Sequence, residues 1–91
     1  MPTKFQLQVS FNDGTGQPVA AYLRIRKGDV AETREVQEGV AFADYDNTGV
    51  LLGIELLAPC RLAVLDDLSQ TEPESVRRFL KGGLPCELIA A

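Results

Sequence analysis

Apolar residues at every second position dominate the first part of the chain and constrain its fold more than any other feature. In residues 5–11, apolar side chains alternate with Gln6, Gln8 and Ser10, and residues 19–26 alternate in the same way. Successive side chains of a strand point to opposite faces. Both runs are therefore predicted to be strands with one buried face.

Short segments rich in Gly, Asn, Asp and Pro separate the apolar runs. Residues 12–18 and 46–49 have this composition, which is typical of tight turns. Gly39 stands where a three-residue hairpin loop needs a left-handed residue. The run 40–45 and the strongly apolar run 50–57 follow as two further predicted strands.

The third run, residues 30–36, is charged and alternates weakly, which suits an edge strand. Gly28 and Asp29 precede it, and we expect a two-residue turn that makes it the neighbour of the preceding strand. A three-residue loop is the alternative, and it would place Arg24 opposite Glu32. The sequence does not choose between these registers, because a slip of one residue exchanges the two faces.

The pattern becomes helical in the last third of the chain. Thr71 and Glu74 have the spacing of a capping box, an apolar stripe follows, and a Gly-Gly pair ends it. These signals predict a helix over residues 72–81. For residues 60–70, the sequence is compatible with either a short helix or a turn.

The sequence therefore predicts one α+β domain spanning residues 1–91, since a chain of this length holds a single core. Residues 5–58 form an antiparallel meander of about five strands. Residues 59–91 form a helical extension and tail, with the helix packed on one face of the sheet. The predicted core consists of Phe5, Leu7, Val9, Leu23, Ile25, Phe42, Leu52, Ile54, Leu56 and Phe79.

Charge and composition exclude several classes of function. The net charge of −4 argues against nucleic acid or an anionic membrane as the partner, because phosphate binding needs clustered positive charge. The chain has no His, which removes the usual triad base and zinc ligand. No apolar run resembles a signal peptide or a membrane span, so we expect a cytoplasmic protein. We also expect no cofactor.

No arrangement of nucleophile and base emerges from the sequence. Serine residues lack a His to activate them, and Cys60 and Cys86 are interpreted as free, buried thiols. A reactive Cys86 is the alternative. We therefore do not expect an enzyme.

One segment matches the ligand spacing of a calcium-binding loop. Asp44, Asp46, Thr48 and Glu55 hold ligand positions of that template. The template needs flanking helices, whereas both flanks here are strand-like. Glu55 would lie roughly 16–20 Å along a strand from Gly49, at about 3.3 Å per residue. We interpret the segment as a turn and predict no metal, with a calcium or small-ligand site as the alternative.

Tyr22, Arg24 and Arg26 share one face of a predicted strand. A base-stacking surface would combine such an aromatic with a basic field. Here the acidic Glu32 and Glu35 are expected to be interleaved with them. This pattern favours a solvated, salt-bridged face.

Several short motifs occur in an order typical of one protein family. They are Ala21-Tyr22-Leu23-Arg24-Ile25-Arg26, Gly28 with Val30-Ala31-Glu32-Thr33, Gly39-Val40, Asp44-Tyr45-Asp46 with Gly49, and Leu52-Gly53-Ile54-Glu55-Leu56. With this series, residues 5–57 resemble the YuzE-like family of small bacterial proteins, a domain of unknown function (2283). The resemblance implies a small β-rich fold and transfers no catalytic residue. It also implies a partner-binding or antitoxin-like role, since some family genes are thought to neighbour small toxin-like proteins.

The missing catalytic chemistry and an apolar C-terminal tail together indicate an interaction protein. We expect it to work through a sheet edge or the tail, as a homo-oligomer or with a small protein partner. Leu84, Leu88 and Ile89 are the predicted interaction residues, because such a tail is too apolar for a plain solvated end.

Overall fold

Five strands and two helices follow one another in the computed structural model, which describes residues 5–58 and 62–82. The elements are β1 (Gln6–Phe11), β2 (Pro18–Arg24), β3 (Glu32–Gln37), β4 (Ala41–Tyr45), β5 (Leu51–Leu57), α1 (Leu62–Ser69) and α2 (Glu74–Gly82). The α+β class and the five-stranded antiparallel sheet are confirmed. The segment for which a short helix and a turn were the alternatives contains a helix, α1.

The strands are arranged in the order β1-β2-β5-β4-β3, and every neighbouring pair is antiparallel. The first two strands form a hairpin, and the last three form a meander. The expectation that residues 30–36 pair with β2 is wrong, because β5 and β4 lie between them. This order buries β5, the most apolar strand, at the centre of the sheet and leaves the charged β3 at one edge, as predicted.

The tight turns predicted by composition are present. In the β3–β4 hairpin, Gly39 has φ +67° and the Val40 N–H donates to the Gln37 carbonyl at 3.0 Å. In the β4–β5 hairpin, Gly49 has φ +85° and its N–H donates to the Asp46 carbonyl at 3.1 Å. Both glycines adopt a left-handed conformation that other residues reach only at a cost.

The core lies between one face of the sheet and the two helices. Leu23, Ile54 and Ala43 are directly opposite one another on β2, β5 and β4, and all three are fully buried. Leu65 of α1 and Leu80 of α2 complete this cluster. The predicted burial of Ile25, Leu52 and Leu56 is likewise confirmed.

Two predicted core residues lie elsewhere. Leu7 is 38% exposed, because its strand forms the edge of the sheet. Phe42 lies opposite Glu55 on the other face of the sheet and is half-buried there. Its neighbours Ala41 and Ala43 are the buried residues of β4 instead. The core-facing side of this strand is therefore the one opposite to the side predicted.

Helix α2 begins at Glu74, after Pro73, two residues later than the predicted start at residue 72. The first helical hydrogen bond runs from the Arg77 N–H to the Pro73 carbonyl at 3.1 Å. Phe79 of this helix stacks on Phe5 with the ring centroids 4.8 Å apart. This contact anchors the helix beside the start of β1.

Within residues 5–58 and 62–82, no helix has the length and apolar character needed to cross a membrane.

Candidate functional site

A polar cluster crosses the face of the sheet opposite the helices. Tyr22 on β2 donates its hydroxyl to Asp44 Oδ2 on β4 at 2.9 Å, and Thr33 on β3 donates to Asp44 Oδ1 at 2.6 Å. Both carboxylate oxygens of Asp44 therefore accept a side-chain hydrogen bond. We call Tyr22, Asp44 and Thr33, together with Gly53, the tyrosine clamp.

Gly53 makes this arrangement geometrically possible. It lies on β5, between Arg24 of β2 and Asp44 of β4. A Cβ atom at this position would be 2.7 Å from Tyr22 Cζ and closer still to the phenol oxygen. The absence of a side chain therefore lets the Tyr22 ring cross β5 and reach the next strand.

The electrostatics of the clamp keep Tyr22 protonated. Burial, followed by the hydrogen bond to Asp44, raises the pKa of Tyr22 to about 12. The phenol is therefore a neutral donor near pH 7 and not a base or nucleophile. The clamp links β2, β4 and β3 through three side chains and crosses β5 at Gly53.

Tyr22, Arg24 and Arg26 were expected to share a salt-bridged face with Glu32 and Glu35, and this expected pairing is wrong. Glu32 and Glu35 lie on β3, separated from β2 by β5 and β4. Tyr22 instead bonds to Asp44. An isolated glycine within the most apolar strand was the sequence signal for this close approach.

Arg26 also has a different partner from the one expected. Its Nη2 lies 2.5 Å from Glu72 Oε1, and its Nη1 donates to the Leu51 carbonyl at 2.8 Å. A surface groove of about 470 Å³ adjoins this pair. Because Glu72 lies between the two helices and Leu51 starts β5, the guanidinium ties the helical segment to the sheet.

The residues of the calcium template take three separate roles. Asp44 belongs to the clamp, and Glu55 lies opposite Tyr22 and Phe42 on the open face. Asp46 and Thr48 do come together, in the β4–β5 turn. Among the described residues, no group of three or more Cys, Asp or Glu side chains is placed to hold a metal ion.

Asp46 is already used by its own turn. Its Oδ1 accepts hydrogen bonds from the Thr48 hydroxyl at 2.7 Å, the Thr48 N–H at 2.8 Å and the Val50 N–H at 3.0 Å. The hydroxyl contact, followed by the Val50 N–H, lowers the pKa of Asp46. The carboxylate therefore stabilises a loop conformation, as turn aspartates commonly do.

β1 forms an edge of the sheet and carries no charged residue, since its sequence is QLQVSF. Leu7 is 38% exposed and Phe11 58% exposed, and Val19 on the adjoining strand is also exposed. Apolar side chains and an uncharged edge thus occur together on this side of the molecule. Uncharged edges with exposed apolar residues favour pairing with another chain.

The backbone of β1 directs hydrogen-bonding groups outward. The Val19 carbonyl of β2 accepts from the Ala58 N–H at 2.9 Å. The N–H of Ile25, which directly follows β2, donates to the Leu52 carbonyl at 2.9 Å. Odd-numbered residues of β2 therefore direct their backbone groups toward β5. Even-numbered residues of β2 then face β1, where the register pairs them with Gln6, Gln8 and Ser10. In an antiparallel ladder, the N–H and C=O groups of the intervening residues 7 and 9 point away from β2.

The opposite edge of the sheet, β3, has the features that discourage pairing. It carries Glu32, Arg34 and Glu35, and Arg34 forms an ion pair with Glu32 on the same strand. Its register with β4 is also irregular between Glu35 and Gln37. Charges and irregularities of this kind protect edges from association. The two edges of the sheet are therefore not equivalent.

The expected interaction residues Leu84, Leu88 and Ile89 lie outside the described residues, as do Cys60 and Cys86. The structure adds Leu7, Phe11 and Val19 as apolar surface residues. The sequence signal for them was the lack of any charge in β1, combined with its position at the start of the chain's first hairpin.

Comparison with known proteins gives one match. Residues 20–58 match the model of a family described as "Protein of unknown function (DUF2283)". This segment, which runs from within β2 to just past the end of β5, is similar to that family. No curated protein and no solved structure matches the chain. All four clamp residues lie within the matched segment, whereas β1 and both helices lie outside it.

Proposed function

We propose that this protein is a small, non-enzymatic interaction module that binds another polypeptide through the edge of β1. The observation that carries the proposal is the combination, on one strand, of outward-facing backbone groups, no charge and the exposed side chains of Leu7 and Phe11. A partner strand would gain backbone hydrogen bonds from the edge and specificity from these apolar side chains.

The polar clusters support a binding role over a catalytic one. The Tyr22 hydroxyl and both Asp44 oxygens are engaged within the clamp, and Arg26 is engaged by Glu72 and Leu51. These groups hold β2, β3, β4 and the helical segment together, and a preorganised sheet lowers the entropic cost of binding at its edge. A cytoplasmic setting and a small protein partner, including an antitoxin-like pairing, belong to the same proposal.

Site-specific photo-crosslinking in cells of the native source tests the proposal. A benzophenone amino acid replaces Phe11 on β1 or, as a control, Val30, which is 50% exposed and lies ahead of β3. We expect a protein adduct from position 11 and none from position 30. Equal adducts at both positions, or none at position 11, would contradict a role for this edge. Mass spectrometry of the adduct identifies the bound chain.

A further inference from the structure

We infer that the chain bound at the β1 edge is a second copy of this protein, joined by antiparallel β1–β1 pairing around a two-fold axis at Val9. The inference rests on the proposed function, and it specifies the partner and its register. The resulting dimer would have one continuous ten-stranded sheet, because each copy contributes its five strands.

Symmetry selects antiparallel pairing. A two-fold axis perpendicular to the sheet keeps the helix-bearing faces of both copies on the same side. Leu7 and Val9 lie on this face, since they pair with Leu23 and Ala21 of the core. Parallel pairing of the two edges would place these apolar side chains on opposite faces. The antiparallel arrangement therefore forms one apolar strip across the junction.

The exposed side chains select the register. With Val9 on the axis, Leu7 of each copy faces Phe11 of the other, and Gln8 faces Ser10. Leu7 and Phe11 are the two exposed large apolar residues of β1, and this register covers both. It also leaves Phe5 in its stacking contact with Phe79. Residues 7 and 9 are the ones whose backbone groups point outward, as a hydrogen-bonded pairing requires.

Charge at the two ends of the strand agrees with self-pairing. Arg24 pairs with Gln6 at one end of β1, and Asp13 lies in the turn that follows the other end. In the antiparallel dimer, Gln6 lies opposite Asn12 of the second copy. Arg24 of each copy therefore lies at the same end of the junction as Asp13 of the other copy. A pair of opposite charges then flanks each end of the uncharged β1–β1 junction.

Light scattering coupled to gel filtration, on the full chain over a dilution series, provides the first test. We expect a mass near twice the 9.9 kDa of the chain for the unaltered protein. Leu7→Lys should reduce the mass to that of a monomer, because an edge lysine opposes strand pairing. Val30→Lys makes the same change of charge at an exposed site away from β1 and should remain dimeric. Circular dichroism checks that each variant is folded.

Cysteine crosslinking tests the register. In a background with Cys60→Ala and Cys86→Ala, we expect Val9→Cys to form a disulfide-linked dimer on oxidation. Opposed residues of a hydrogen-bonded pair have Cα atoms about 5.5 Å apart, which a disulfide accommodates. Gln8→Cys is the matched control and should stay uncrosslinked, since its two copies would be offset and face Ser10.

The outcomes separate this inference from the proposed function. A monomer at every concentration, or crosslinking at position 8 in preference to position 9, would overturn the Val9 dimer. If the photo-adduct at position 11 then contains a different protein, the interaction module stands and the second copy is replaced as partner. Loss of the dimer in Leu88→Asp/Ile89→Asp, with retention in Leu7→Lys, would place the interface in the tail and also overturn the inference.

Discussion

The phenol of Tyr22 crosses β5 directly over Gly53 and donates a hydrogen bond to Asp44 on the strand beyond. The contact joins two strands that are not neighbours in the sheet. It depends on a residue that contributes no atoms beyond its backbone.

Gly53→Ala should destabilise the protein by about 2–4 kcal/mol, because the added methyl group overlaps the Tyr22 ring and displaces it from Asp44. Urea unfolding followed by circular dichroism measures the loss. Gly82→Ala is the matched control, since a Cβ at that helix end meets nothing within 4 Å. Its stability should be unchanged or slightly raised. Equal stability of both variants would refute the crossing.

Tyr22 should make stability depend on alkaline pH. Its pKa is raised to about 12 from an ordinary value of 10.0, mainly by burial and then by the Asp44 hydrogen bond. The protonated phenol is thus favoured in the folded state, and its contribution is complete below pH 10 and lost as pH rises through 12. Tyr22→Phe should remove this dependence. The difference in tyrosinate absorbance between the two proteins should show a midpoint near 12, and a midpoint near 10 would contradict the half-buried hydrogen bond to Asp44.

Arg26→Ala should lower the free energy of unfolding by about 2 kcal/mol, since it leaves the mostly buried Glu72 carboxylate and the Leu51 carbonyl without their donor. Arg26→Lys should recover only part of the loss, because an ammonium group lacks the planar fork that reaches both acceptors. Thermal unfolding monitored by circular dichroism compares the variants.

The control for Arg26 is Arg78→Ala, which removes an exposed i,i+4 pair with Glu74. We expect a cost below about 0.5 kcal/mol there, as for most solvent-exposed ion pairs. If the two alanine variants were equally stable, the bridge from sheet to helices would have no energetic role.

Calcium should leave the thermal unfolding midpoint unchanged at the same ionic strength as a magnesium control. The three donors on Asp46 Oδ1 would have to be displaced before a cation could bind that atom, and Asp44 is engaged by Tyr22 and Thr33. A saturable rise that is specific to calcium would oppose this expectation. Two variants would then test whether calcium binds in this loop. The calcium-dependent rise should disappear in Asp46→Asn and persist in Asp29→Asn, which changes an aspartate outside the turn.

The positions of the tight turns could be predicted from sequence because they depend on local chemistry. Gly39 and Gly49 adopt the left-handed conformation that their hairpins require, and composition alone indicated both turns. The neighbours of β2 and β3 could not be predicted in the same way. Ile25 hydrogen-bonds to β5, and Ala31 hydrogen-bonds to Tyr45 of β4. Residues 25–31 therefore cross from one side of the β4–β5 pair to the other, and no residue pattern within this segment predicts that crossing.

The candidate site was predicted only in part. The sequence indicated a sheet edge as an interaction surface, and the charged run 30–36 was correctly assigned to an edge. The uncharged edge at β1 was missed, because Leu7 was expected in the core. Alternation shows which face a side chain occupies but not whether the helices extend far enough to cover it.

By itself, the sequence determined the strand segments, the turns and the α+β class, because these follow from backbone preferences and side-chain alternation over a few residues. Only the tertiary structure decided that β5 separates β2 from β4, that Tyr22 meets Asp44 across Gly53, and that Arg26 meets Glu72. Each of these contacts joins residues distant in the chain. They arise because burying the most apolar strand at the centre of the sheet stabilises the fold more than pairing successive strands would.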